Sequence, residues 1–151
     1  MGQVIVTIKL VNYSDTVLKR AGVRKAKPRA AVVEALVDTG ATGLYLKPSI
    51  IKKLGLHAVD KIVSRTTNGK VERNKFEAVD LEILGRHETF QAVEIPEDVP
   101  NLVGQIPLEA LDFVVDPKRQ RLIGNPEHGG IQMTEVFGSL LEHEPLRRRN
   151  R

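Results

Sequence analysis

Apolar and polar residues alternate along much of the chain, and this period of two predicts β-strands. The first alternating stretch runs from Gln3 to Asn12. A second, RAAVVEALVD at 29–38, becomes apolar on both faces near its end, as expected of a strand inside a sheet. Further strands are predicted at 44–46, 88–95 and 101–104, and on either side of the turn at Asp116-Pro117.

The strongest local signal is Asn68-Gly69, which lies between two alternating arms in the segment 62–84 and predicts a β-hairpin. After residue 125 the pattern weakens, and 129–137 is a candidate for a last strand. Many short strands separated by turns predict a mostly β fold, with a sheet that closes or folds over on itself.

Two short helices are predicted. One covers 48–56, with Pro48 in its first turn and Gly55 at its end. The other covers 107–113, where PLEALDF allows one or two turns. The segment 19–29 has no clear period and is interpreted as a loop or an extended hairpin.

At 151 residues, the chain is long enough for one domain with its own core. It has no cysteine, which excludes disulfides, thiolate metal sites and a cysteine nucleophile. No apolar run reaches the roughly 20 residues that span a membrane, and the first residues lack the pattern of a secretory signal. We therefore expect no membrane association and a cytoplasmic location.

The net charge of +4 hides an uneven distribution. Six basic residues and no acidic ones lie between Lys19 and Arg29, and four arginines follow Pro145. The rest of the chain is therefore acidic. Such patches are compatible with a nucleic-acid or membrane surface, but neither patch interleaves aromatic residues with its cations. A solvated loop and tail is the favoured interpretation, and a nucleic-acid partner is not expected.

Candidate chemistry is limited to the carboxylates. The four histidines are scattered without the spacing of a metal site, and no nucleotide-binding motif is present, so neither a metal nor a cofactor is predicted. Asp38 stands out because it directly follows a predicted buried strand and precedes Thr39 and Gly40. By itself, Asp-Thr-Gly is also ordinary turn chemistry, since Asp bonds its own backbone and Gly is flexible.

Three motifs that follow one another along the chain favour a functional role for Asp38 over a simple turn: LVDTGAT at 36–42, TTNGK at 66–70 and NLVG at 101–104. With them the chain resembles the retropepsin-like aspartic proteases, the single-lobe relatives of pepsin. The resemblance implies an acid-protease β-barrel with one lobe per chain over residues 1–125. It leaves 126–151 as a C-terminal extension with a basic tail, in which 130–137 is a candidate strand at a dimer interface.

Peptide hydrolysis by carboxyl groups needs a base that activates water and an acid that protonates the carbonyl oxygen. No other aspartate in the chain is followed by Thr-Gly. The second carboxyl must therefore be Asp38 of another copy, and a homodimeric aspartic endopeptidase acting on peptides or proteins is predicted. The alternative is a dimeric peptide-binding module of the same fold that does not cut.

The resemblance also implies roles for individual residues. Asp38, Thr39 and Gly40 would form the catalytic loop, and a hairpin tip called the flap would close over the peptide. The predicted substrate-binding residues lie in three groups: Ala41 and Thr42 after the catalytic triplet; Thr67, Asn68, Gly69 and Lys70 in the flap; and Leu102, Val103 and Gly104.

The chain departs from its retroviral relatives at two positions. They often have Asp where this chain has Thr42, and Arg where it has Gln105, and in them the two charges pair. Loss of both charges is self-consistent, and a neutral contact between Thr42 and Gln105 is predicted. Ala41 also lacks the hydroxyl that pepsin-type loops offer to the ionised carboxylate, which predicts a mildly acidic optimum for cleavage.

Overall fold

The structure, a computed structural model, describes residues 2–136. The prediction of a mostly β chain is confirmed. The strands are β1 (Val4–Asn12), β2 (Ala30–Val37), β3 (Leu44–Leu46), β4 (Ala58–Thr66), β5 (Gly69–Ile83), β6 (Arg86–Glu94), β7 (Leu102–Val103), β8 (Phe113–Asp116) and β9 (Arg121–Gly124). The helices are α1 (Tyr13–Arg20), α2 (Pro48–Leu54) and α3 (Gln105–Ala110), followed by a 3-10 turn at Pro126–His128.

Six strands pair into a ring in the order β1, β2, β7, β3, β6 and β5, and β5 returns to β1 to complete it. Strand β4 lies outside the ring and pairs with β5 alone. Two contacts in the ring are parallel, β2 with β7 and β3 with β6, and the others are antiparallel. Strands β8 and β9 form a separate antiparallel pair.

The ring encloses the hydrophobic core. Alternate residues of β1, such as Ile8 and Leu10, point inward and are fully buried, which is the arrangement that the period of two predicts. Helices α2 and α3 add Leu54 and Leu108 to the same core. The strands that position the candidate site are thus held by a continuous apolar interior.

The prediction of two helices is wrong, because α1 forms a third directly after β1, and its last two residues lie in the segment 19–29 interpreted from the sequence as a loop or extended hairpin. Asn12 caps this helix: its side-chain oxygen accepts the Asp15 backbone N–H at 3.0 Å. An Asn before the first turn, with an acidic residue three positions on, is the signal that sequence reasoning missed. Residues 21–29 do form a loop.

Helix α3 begins at Gln105, two residues earlier than predicted, because Gly104 already takes the helix-capping position. Helix α2 ends as predicted at Gly55, whose φ of 64° suits glycine. Residues 131–136 form no strand within the described chain, and residue 137 of the candidate dimer strand and the basic tail lie outside it. Over residues 2–136 no helix has the length and apolar character needed to cross a membrane.

Candidate active site

Asp38 lies where three strands meet. Strand β7 inserts between β2 and β3, parallel to the first and antiparallel to the second. Strand β2 ends at Val37, and the Asp38 backbone N–H then donates to the Val103 carbonyl at 3.0 Å. The backbone that carries the carboxylate is thereby fixed at the end of an inner strand of the sheet and not on a free loop.

A tight turn holds the Asp38 side chain. The Gly40 N–H donates to Asp38 Oδ1 at 2.9 Å, and the Ala41 N–H donates to the Asp38 carbonyl at 3.0 Å. Asp38 is half-buried, whereas Thr39 and Gly40 are exposed. The turn interpretation of Asp-Thr-Gly is therefore correct, and the turn also presents an oriented carboxylate at the surface.

Gly104 is the point of closest approach between β7 and the loop 38–43. Its N–H donates to the Gly43 carbonyl at 2.8 Å. A Cβ atom on residue 104 would lie 2.6 Å from the carbonyl oxygens of both Ala41 and Gly43. Only glycine fits here without displacing the backbone, so the small residue in the NLVG motif has a steric reason.

The backbone that follows Gly104 continues to brace the loop. The Gln105 N–H donates to the Ala41 carbonyl at 2.8 Å, and the Ile106 N–H donates to the Thr42 carbonyl at 2.9 Å. The Gln105 side chain, however, donates to Glu109 Oε1 at 2.8 Å. Within residues 2–136 no hydrogen bond joins the side chains of Thr42 and Gln105, so their predicted neutral contact stays a prediction.

The predicted flap is a two-stranded hairpin whose base continues from the ring. Its turn consists of Thr67 and Asn68, and Gly69 is the first residue of β5, with φ of 115°. The expected Asn-Gly turn is thus shifted by one residue. The Thr66 hydroxyl explains the shift, because it donates to the Gly69 carbonyl at 2.9 Å and accepts the Asn68 N–H at 3.2 Å.

The structure brings together two of the three predicted groups of site residues. Hydrogen bonds join Val103 and Gly104 to the loop that carries Asp38. Within residues 2–136, no hydrogen bond joins the hairpin tip, residues 66–70, to that loop. The hairpin arms are exposed, and Val63 retains 62% of its accessible surface.

Comparison with known proteins settles the family. A family model described as aspartyl protease matches residues 22–125, more than half of the chain and the whole of the loop, hairpin and β7. This chain belongs to the aspartyl protease family. A search among curated proteins found no match.

Asn101 lies beside the candidate site, and the sequence reasoning left it out of the predicted site residues. It is buried, and its side-chain oxygen accepts the Lys47 N–H at 2.9 Å while its amide donates to the Glu34 carbonyl at 3.1 Å. Its own carbonyl accepts the Leu36 N–H at 2.8 Å. It thus ties β7 to β2 and to the start of α2. A buried Asn at the head of an apolar strand is the available signal.

Two ionic clusters also escaped prediction. Asp15 is buried and accepts two hydrogen bonds from the Arg29 guanidinium, at 2.8 and 2.9 Å, and one from the Arg29 backbone at 3.0 Å. The side-chain hydrogen bond to Arg29 is the main cause that lowers the pKa of Asp15 from 3.8 to about 2. Arg24 lies 3.5 Å from the same carboxylate. Two cations of the basic segment therefore have a structural role.

The second cluster holds the segment after β9 against the end of α3. His128 Nδ1 lies 2.7 Å from Asp112 Oδ2, and His128 Nε2 lies 3.0 Å from Glu135 Oε1. The hydrogen bond to Asp112, with a second to Glu135, raises the pKa of His128, and the same bond to His128 lowers the pKa of Asp112. Arg86 reinforces it by donating to the Gly130 carbonyl at 3.1 Å.

Proposed function

We propose that this aspartyl protease is a homodimeric endopeptidase in which the Asp38 carboxyls of two chains hold one water molecule between them. One observation carries the proposal: the half-buried Asp38 is oriented through Oδ1 by the Gly40 N–H, while Oδ2 makes no hydrogen bond within residues 2–136. A carboxylate oriented through one oxygen has the other free to bind water.

The dimer supplies the second carboxyl. A two-fold axis beside the loop would bring the same turn from each chain together, which makes the interface isologous. Two carboxyls so close share one proton, because both cannot ionise without repulsion, and paired aspartates of aspartic proteases are a long-established example of this sharing. In this arrangement the six-strand ring is the acid-protease barrel, one lobe per chain.

Catalysis then needs no covalent intermediate. The ionised Asp38 takes a proton from water as the water oxygen forms a bond to the amide carbon. The protonated Asp38 of the other chain gives its proton to the carbonyl oxygen, which produces a neutral tetrahedral gem-diol. Cleavage of the C–N bond returns one proton to a carboxylate and passes another to the leaving nitrogen.

The remaining predicted residues would position the peptide. The exposed Thr39 hydroxyl would bond to the partner loop and stiffen the pair of carboxyls. The hairpin tip, Thr67 to Lys70, would close over the substrate and offer backbone hydrogen bonds as an added strand does. The backbone of Ala41 and Thr42 lies beside the carboxylate and would contact the peptide from below.

Cleavage of a mixed peptide library tests the proposal, with purified wild type, Asp38→Asn and Asp80→Asn assayed from acidic to neutral pH. Asp80→Asn makes the same chemical change on β5 and is the matched control. We expect wild type and the control to cut at the same bonds, and Asp38→Asn to lose at least about 1,000-fold in rate, because one general acid–base partner is removed from each chain.

Equal cutting by wild type and Asp38→Asn would contradict the proposal. If neither protein cuts while both bind peptides as dimers, the chain is instead the peptide-binding module considered above.

A further inference from the structure

We propose that the hairpin of β4 and β5 selects peptides with acidic side chains near the bond that is cut. This inference rests on the proposed function, since it assumes that the hairpin closes over a peptide. It concerns the charge of the substrate, which the catalytic loop does not determine.

The hairpin carries an excess of positive charge. Residues 60–75 contain five cations and two carboxylates. Both carboxylates already have partners inside the hairpin: Glu72 Oε1 lies 3.1 Å from Lys61 Nζ, and Asp60 Oδ1 accepts the Lys61 backbone N–H at 2.7 Å. Most of the positive charge therefore faces no compensating carboxylate within the hairpin.

Two of these cations lie directly opposite each other near the tip. Arg65 pairs with Lys70 in the β4–β5 register, so their side chains project from the same face. Both are exposed, and within residues 2–136 neither has a carboxylate within 4.0 Å. Like charges placed directly across two strands repel, and no packing requirement of the exposed hairpin explains them.

The base of the same face borders the body of the molecule, whereas the part nearer the tip is open to solvent. A hollow of about 420 Å³ lies at the base of the hairpin, between it and the segment Glu94 to Pro96. Of the four hairpin residues that line it, Lys61, Glu72 and Asn74 alternate with the register of Arg65 and Lys70 and share their face. That segment leads into β7, which braces the Asp38 loop.

An acidic side chain of an extended peptide fits this site by charge. A carboxylate between Arg65 and Lys70 would remove their repulsion, and the Arg guanidinium can bind it through two parallel hydrogen bonds. The peptide backbone would bond to the hairpin in the same event. Exposed ion pairs are individually weak, so the expected preference for Glu over Gln is roughly three- to ten-fold.

The test compares cut sites in the mixed library for wild type and for the double variant Arg65→Gln with Lys70→Gln. The matched control is Lys52→Gln with Lys53→Gln, which removes two exposed cations from α2. We expect Asp and Glu to be enriched within four residues of the cut for wild type and the control. In the tip variant this enrichment should disappear, so that matched Glu and Gln peptides are cut at equal rates whatever the overall rate of cleavage.

A second measurement separates this inference from the proposed function. Fluorescent peptides that differ only by Glu and Gln, taken from the best-cut sequences or designed as extended acidic segments, are titrated against the full-length Asp38→Asn protein. Tighter binding of the Glu peptide, lost in the tip variant and reduced by salt, supports charge selection even if cleavage fails.

Equal affinity for Glu and Gln peptides, or a preference that survives in the tip variant, would overturn the inference while leaving cleavage intact. Binding of a single-stranded oligonucleotide that depends on Arg65 and Lys70, without any preference among peptides, would assign the hairpin to nucleic acid instead.

Discussion

Gly104 lies beneath the loop that carries Asp38, and the absence of a side chain sets the distance between them. We expect Gly104→Ala to reduce the free energy of unfolding by about 1 to 3 kcal/mol, because its Cβ would overlap two carbonyl oxygens at 2.6 Å. The rate of peptide cleavage should fall by more than the loss of folded protein accounts for, because the displaced backbone holds the Asp38 carboxylate. Thermal unfolding and peptide cleavage measure the two effects.

Gly43→Ala is the control for this substitution, because a Cβ on residue 43 would meet no atom within 4 Å. The two glycines flank the same contact, yet only one is constrained. Similar losses in both variants would mean that chain flexibility, and not the close approach at Gly104, accounts for the effect.

Asp15 links the pH of the solution to the stability of the fold. Its pKa is lowered from 3.8 to about 2 by Arg29. A carboxyl whose pKa falls on folding stabilises the protein above its unfolded value, and this contribution disappears as the pH falls from about 4 to about 2. At about 1.4 kcal/mol per pH unit, the contribution at neutral pH is about 2 kcal/mol.

Asp15→Asn should therefore lower the free energy of unfolding at neutral pH by about 2 to 3 kcal/mol, and the difference from wild type should shrink toward pH 2. Urea unfolding at several pH values measures it. Asp98→Asn changes an exposed turn residue and should leave the curve unchanged. A constant difference at every pH would show that packing, not ionisation, stabilises this site.

At the scale of single residues, the sequence predicts those site residues whose role depends only on their neighbours along the chain. Asp38, Gly40 and Gly104 stand in short motifs whose turn chemistry or lack of a side chain can be read directly. Asp15 with Arg29, and Asp112 with His128, meet only because distant elements pack together, and the Gln105 side chain bonds to Glu109 one helical turn away. For such contacts, which neighbour lies nearest depends on the three-dimensional structure.

Among the elements, the strands and α2 follow closely from hydrophobic period and turn residues. Helix α1 does not, because its apolar residues Val17 and Leu18 are largely exposed and mark no buried face. The ring order does not follow either, since the two-residue β7 finds its place between β2 and β3 through backbone pairing.

The segment after β9 is held by the cluster of Asp112, His128 and Glu135. The raised pKa of His128 means that its charged contacts are present below the ordinary value of 6.5 and are lost as the pH rises through the folded value. The lowered pKa of Asp112 means that its contribution is present above 3.8 and is lost as the pH falls below it. The segment should be held most firmly between these limits.

Hydrogen exchange of amides 131–136, corrected for the intrinsic pH dependence, measures this hold. We expect exchange to be about ten-fold faster at about pH 9 than at about pH 6, because charge-assisted hydrogen bonds are lost. His128→Gln should exchange fast at both pH values. His87→Gln, which removes an exposed histidine paired with Asp80, is the control. Exchange that does not depend on pH in wild type would assign the hold to contacts that do not titrate in this range, such as those of Arg86 and Gln132.

For the whole molecule, the decisive property is whether two chains share one site. If they do, Asp38→Asn chains should inactivate the wild-type chains with which they pair. After equal amounts of the two proteins have exchanged subunits, about a quarter of the dimers contain two wild-type chains, so activity should fall to about half that of the same amount of wild type alone.

Light scattering establishes the oligomeric state, and peptide cleavage measures the mixture. Mixing with Lys52→Gln, which retains Asp38, should increase the activity. Activity that is unaffected by Asp38→Asn after full exchange would mean that each chain acts alone.

The insertion of β7 between β2 and β3 has a consequence for how the chain folds during its synthesis. Leu36 pairs with Leu102, 66 positions later, so the strand that leads to Asp38 lacks its neighbour until most of the polypeptide has left the ribosome. Pairing over such separations is slow, because a long loop must close first. A nascent chain, or a fragment cut short before residue 102, would therefore carry Asp38 without the geometry to use it. The order of synthesis itself delays the assembly of the candidate active site.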